Sequence, residues 1–215
     1  MRIALAAAAV LLTACAGVDS RPVTGDEANR LALVRLANHN ERGAAFSTTL
    51  VDQGRELAIR GWVDWRRPMV YAAVNGAMLV QAVPGALAEL QQPAEVPPLP
   101  VPQGQWRARP LRPGPQGSPF DSFLAIMLGL AADRPDNPQL LLQQGAAWIG
   151  EDGELDGFRG PNSGRDGSRG GGIRYWIDRR GRLHRLELTL GTAEPMTVLL
   201  ERGSPPAITP VGPLA

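Results

Sequence analysis

Glu56 to Val83, ELAIRGWVDWRRPMVYAAVNGAMLVQAV, decides how this chain folds. Leu57, Ile59, Val63 and Trp65 share one face of the first segment, with Arg60, Trp62 and Asp64 on the other. That period of two predicts a strand. Arg66-Arg67-Pro68 breaks it as a turn. Met69 to Val74 and Ala77 to Val83 then flank Asn75-Gly76. Asn-Gly suits the two left-handed positions of a type I′ turn, so this stretch reads as a hairpin. Closed as a two-residue turn, it sets Tyr71 against Val80 and Ala73 against Met78 on one face, and Ala72 against Leu79 on the other. Both faces are then apolar. A sheet with one face in water alternates instead, so something apolar must cover each face of this hairpin.

Working back towards the N-terminus, Phe46 to Val51 reads as a further strand. Thr24 and Glu27 have capping-box spacing and predict a helix from about Asp26 to Glu41, ended by Gly43. Its apolar stripe is Leu31, Val34 and Ala37 or Asn38, widened by Leu33 and Leu36. The chain opens with Arg2 and an apolar run from Ile3 to Leu12. Leu12-Thr13-Ala14-Cys15 follows, and Cys15 is the single cysteine. The run is shorter than the roughly 20 residues of a spanning helix. A charged start, a short apolar core and a small-residue exit are the layout of an export signal. The last four residues resemble a bacterial lipobox. That resemblance implies acylation of Cys15, cleavage before it, and a mature protein that starts at a lipid. The rival reading makes Cys15 an ordinary small residue of a signal cut elsewhere. The expected boundaries are a signal over 1–14, a tether over 15–25, one domain over 26–203 and a disordered, proline-rich tail over 204–215.

Working forward, Pro93 to Pro102 and Arg109 to Pro119 are proline-rich crossings, with a short strand, Gln105 to Arg109, between them. They read as loops of one domain, because neither half looks complete alone. Ser118-Pro119-Phe120-Asp121 supplies a cap, a first-turn proline and an acid, and predicts a helix to about Ala131. Phe120, Phe123, Leu124, Ile126, Met127, Leu128 and Leu130 leave it almost no polar face, so it is buried or faces lipid. Asp136-Asn137-Pro138 begins a short third helix over Leu140 to Leu142. Strands are expected at Ala146–Gly150, Leu155–Gly160, Ile173–Asp178, Leu183–Leu190 and Pro195–Glu201. Pro161 to Gly172 is a glycine-rich loop, expected to be mobile.

Net charge is +1, so nothing points to nucleic acid or an acidic partner. Every basic side chain is Arg. With 25 Gly and 20 Pro, this suggests a GC-rich genome such as an actinobacterium's. His39 and His184 stand alone, without a partner at metal spacing. Glu151, Asp152, Glu154 and Asp156 lack the spacing of a calcium loop and read as a solvated turn. Gly164 to Gly172 lacks the Gly-Lys-Ser/Thr of a phosphate loop, and no Gly-x-Ser-x-Gly elbow occurs. No enzyme, metal or cofactor is expected. Trp62, Trp65, Trp106, Trp148 and Trp176 fall in expected strands, as core or rim packing or as a lining for a lipid mouth.

Ile173-Arg174-Tyr175-Trp176-Ile177-Asp178, then Gly181-Arg182-Leu183, then Arg185-Leu186-Glu187-Leu188 resemble actinobacterial lipoproteins of the LppX/LprG type. These are similar to the LolA and LolB lipoprotein carriers. Element order matches over roughly Asp26 to Glu201, and residue-level likeness is confined to 173–190. The two proline-rich crossings and the glycine-rich loop depart from the mycobacterial pattern. The resemblance implies an α+β fold, a curved antiparallel half-barrel sheet wrapped over one or two helices. It also implies an apolar cavity for a lipid or lipidated molecule, on a monomer anchored at the extracytoplasmic face of the cell membrane. Leu57, Ile59, Val63, Trp65, Tyr71, Met78, Phe123 and Met127 are the candidate wall, on apolar type at strand or helix spacing. The alternative is a lipid-anchored surface interaction module with a solid core and no small-molecule ligand.

Overall fold

The Asn75-Gly76 hairpin lies within one large antiparallel sheet. The computed structural model describes residues 20–114, 117–160, 172–190 and 195–214. Along the chain these form β1 (Arg21–Pro22), α1 (Gly25–Ala32), α2 (Val34–Glu41), β2 (Gly43–Asp52), β3 (Arg55–Asp64), β4 (Met69–Val74), β5 (Met78–Val83), β6 (Ala86–Gln91) and β7 (Arg107–Pro110). Then come α3 (Pro119–Gly129), α4 (Pro138–Gln143), β8 (Ala147–Asp152), β9 (Leu155–Arg159), β10 (Ile173–Ile177), β11 (Leu183–Leu188), β12 (Met196–Arg202) and a short 3-10 turn (Gly212–Leu214). The strand order is β1-β8-β9-β10-β11-β12-β2-β3-β4-β5-β6-β7. Two meanders are therefore joined where β12 pairs with β2, Val198 opposite Thr48. The sheet does not close. Its edges, β1 and β7, are short and each ends in proline, which blunts them against further pairing. This is an α+β protein.

Several local expectations are corrected. The first helix is two, because Leu33 sits between α1 and α2 as C-cap of one and N-cap of the other. Arg42, at φ 71°, ends α2. Gly43 instead starts β2, where a side chain would run into the Val63 carbonyl. In the hairpin, Asn75 and Gly76 take the expected left-handed φ values, 51° and 63°. Ala77 joins the loop, however, so Val74 pairs with Met78, Ala73 with Leu79, Ala72 with Val80 and Tyr71 with Gln81. The register is one residue off the two-residue closure, and a one-residue slip changes which side chains share a face. β6 was not expected. Its Ala-Leu-Ala-Glu-Leu sequence favours helix locally, and pairing to both β5 and β7 overrides that preference.

Both faces of the hairpin are covered. Val70, Ala72, Val74, Val80 and Ala82 join a core with Leu31, Val34, Phe120, Phe123, Leu124 and Met127 from α1, α2 and α3. Met69, Tyr71, Ala73 and Leu79 join a second cluster on the other face with Val101, Ile208 and Val211. The cover there is the first proline-rich crossing and the C-terminal segment. The tail placed over 204–215 is thus docked up to Val211: Ile208 is 1% exposed, and Gln81 bonds the Thr209 carbonyl at 2.9 Å and the Val211 amide at 3.0 Å. Within the stretch expected as a tether over 15–25, residues 21–25 instead belong to the fold. Arg21 and Pro22 pair with β8, and Val23 is buried in the main core. β12 needs no second cover, since Met196, Val198 and Leu200 alternate with exposed residues.

Candidate functional site

α3 forms as its sequence dictates. Ser118 Oγ accepts from the Asp121 amide at 3.0 Å, and Pro119 opens the first turn. Asp121 is buried and accepts two hydrogen bonds from Arg109 of β7, both at 2.8 Å, and one from the Arg112 amide. Burial alone would raise its pKa, yet Arg109 and the Arg112 amide hold it below the usual aspartate value. At the other end, side chains occupy carbonyls that a helix terminus leaves open. Trp65 Nε1 donates to Met127 O at 3.1 Å, Asn38 to Leu130 O at 2.8 Å, and Arg35 to Gly129 O at 3.2 Å and Ala131 O at 3.4 Å. The residue types of α2 explain this: a cation and an amide face the negative end of α3.

Seven of the eight candidate wall residues share the helix-covered face. Ile59, Val63, Trp65, Phe123 and Met127 are buried in one cluster, with Leu57 and Met78 packed against its margin. The five buried ones are at most 4% exposed. Tyr71 is a correction. It lies on the opposite face, beside Trp62, and its hydroxyl donates to Pro98 O at 3.0 Å. Burial pushes its phenol up to about 12. The cause is the strand's alternation: Tyr71 faces with Leu79 and Gln81, away from α3.

Among the described residues, open space lies away from the candidate wall. A cleft of about 390 Å³ runs between α1, α2, the end of α3, α4 and β10. Leu31, Val34, Leu140 and Leu141 line it, with Tyr175. The pair Arg35–Asp136, 3.1 Å apart, sits in its wall. Burial pushes the Tyr175 phenol above its usual value, the Asp136 charge adding to the effect. α4 carries three consecutive leucines and none is buried. Sequence pattern marks the strand that holds Tyr175, but α1 and α4 meet it only in three dimensions.

Of the remaining polar candidates, His184, Asp152 and Asp156 have structural partners. His184 Nε2 lies 2.7 Å from Arg202 Nη2 and 3.4 Å from Asp178 Oδ2, and Arg202 also bonds Glu41 at 3.1 Å. These contacts tie the end of α2 to β11 and β12. Asp152 pairs with Arg185 and Asp156 with Arg30, each at 2.6 Å. Among the described residues no three His, Cys, Asp or Glu side chains are grouped to hold a metal, and no helix is long and apolar enough to cross a membrane. Cys15 and the glycine-rich loop of 161–171 lie outside the described residues.

The open antiparallel α+β sheet with helices on one face defines the class of fold. No protein-family model matches the chain, and no curated protein matches it in sequence. Among solved structures it is similar to a chain in the complex structure of Pseudomonas aeruginosa MucA/MucB, with a TM-score of 0.33 and 16% identity. The match covers 89% of this chain and 60% of that one, and a likeness at this level assigns neither ligand nor partner.

Proposed function

We propose that this chain is a lipoprotein, held by acyl groups on Cys15 at the extracytoplasmic face of a membrane, that binds or carries a lipid or lipidated molecule. In this reading the sheet is a curved half-barrel of the LolA type, and the LppX/LprG likeness supports it. The ligand's apolar part lies in the cleft walled by Leu31, Val34, Leu140, Leu141 and Tyr175. The cleft itself carries the reading. Its volume of about 390 Å³ falls in the roughly 300–1,000 Å³ of small-molecule sites, which are mostly apolar with a few polar groups. A second reading, a lipid-anchored surface interaction module, is favoured by the close packing of Ile59, Val63, Phe123 and Met127, none of which is exposed.

Purification of the Cys15→Ser chain without detergent, followed by solvent extraction and mass spectrometry, tests the choice. Bound lipid, and saturable binding of a fluorescent fatty acid lost on Leu141→Trp, support the carrier. An empty protein that binds no probe leaves the interaction module. In parallel, the native chain should stay with membranes through an alkaline carbonate wash and Cys15→Ser should not, since acyl chains supply the anchor.

A further inference from the structure

Arg159 ends β9 and lines a pocket of about 250 Å³ together with Ser20, Arg21, Pro22, Leu142 and Ala147. Most arginines among the described residues are either paired with an acid or exposed. Arg159 is neither: it is half-buried and makes no ion pair there. Its Nε is buried with no hydrogen-bond partner. The Nε of Arg185 is similar, but that guanidinium bonds Asp152 at 2.6 Å and stacks 4.1 Å from Trp176. A buried charged donor without an acceptor is costly, which favours an acceptor that the described residues do not supply.

The surroundings add positive charge. Arg174 of β10 lies directly across from Arg159, and like charges so placed repel. Arg21 also lines the pocket. Three of the acids nearby are already engaged: Glu27 bonds Arg21 at 2.7 and 2.8 Å, Asp156 bonds Arg30, and Glu187 bonds Arg174 at 3.3 Å. A guanidinium fork matches the oxygens of a phosphoryl group. We infer that this pocket binds a phosphoryl oxyanion, from a lipid headgroup or from free phosphate. The lipid source rests on the proposed anchor at Cys15. Four residues lie between Cys15 and Ser20, and the five steps span at most about 18 Å, so the pocket would lie within reach of headgroups. The anion site itself does not depend on the cleft or on the anchor.

The Cys15→Ser chain is titrated calorimetrically with inorganic phosphate at low salt. It is also sedimented with phosphatidylcholine vesicles, with and without about a third phosphatidylglycerol, because salt screens exposed charge. Binding to at least one probe is expected, and Arg159→Gln should weaken it about tenfold, the loss of one charge-assisted contact. Arg159-dependent binding of phosphate alone assigns free phosphate. Dependence with the charged vesicles alone assigns the headgroup. A parent that binds neither probe, or an Arg159→Gln chain that binds as the parent does, overturns the site. Should Arg159→Gln lose its far-ultraviolet spectrum, Pro22→Glu replaces it. That carboxylate in the pocket wall must abolish binding, and unchanged binding again overturns the site.

Discussion

Replacing Phe123 with alanine tests whether α3 is seated on the sheet. Phe123 is fully buried, and its ring meets that of Phe46 edge-on, 5.8 Å between centroids and 63° between planes. It belongs to the buried core that α3 shares with β2 to β5. Truncating a core phenylalanine costs about 3–5 kcal/mol, the lost transfer energy plus the cavity left behind. The edge-on pair accounts for about 0.5–1.5 kcal/mol of that. A domain of this size is stable by about 5–15 kcal/mol, so the variant should still fold but with a clearly lowered urea midpoint. Equilibrium unfolding followed by circular dichroism measures this, and an unchanged slope confirms that the two states compared are the same. Leu33→Ala, at an exposed position, should stay within about 0.5 kcal/mol. A loss below about 1 kcal/mol at Phe123 refutes the reasoning, because it means that the ring is not enclosed.

Arg109→Met should cost about 1–3 kcal/mol, because Asp121 then loses its half-exposed bidentate partner and keeps only the Arg112 amide and Ser118 near it. Asp121→Asn in the same chain should recover part of that loss in denaturant unfolding, and no recovery contradicts the ion-pair account. Glu27 is held at about 2 rather than 4.5, chiefly by its bond from Arg21 and further by Thr24, against its partial burial. A lowered folded value means stability that is present above pH 4.5 and is lost as pH falls towards 2. The difference in unfolding free energy between native and Glu27→Gln chains should therefore shrink across that window, and a constant difference would count against it. Ile208→Ala should cost about 2–5 kcal/mol, since Ile208 is buried against the outer face of β4 and β5. A frayed tail would show no change.

Local chemistry carried much of the fold. Asn75-Gly76 marked its hairpin, Ser118-Pro119 started α3 where expected, and the apolar girth of α3 required burial, which it has. The two-faced hairpin also required two covers. Composition could not say what the second cover is. Proline-rich segments read as crossings or frayed ends until Val101, Ile208 and Val211 are seen against Tyr71 and Leu79. Register failed for a related reason. Turn type fixes the φ values of Asn75 and Gly76, but inclusion of Ala77 in the loop is decided by pairing across the whole sheet. Seven wall residues were placed together because period two and period 3.6 fix faces within an element. The cleft was invisible because Leu31, Leu140 and Tyr175 are far apart in sequence and no periodicity links them.

Photolabelling locates the ligand most directly. The Cys15→Ser chain is irradiated with a diazirine-bearing fatty acid, digested, and its labelled peptides are mapped. Label concentrated on α4, around Leu140 and Leu141, and on Tyr175 of β10 is the predicted result. Label spread evenly over the surface, or found only on the outer-face segment around Val101 and Ile208, contradicts the proposal that the cleft holds the apolar chain.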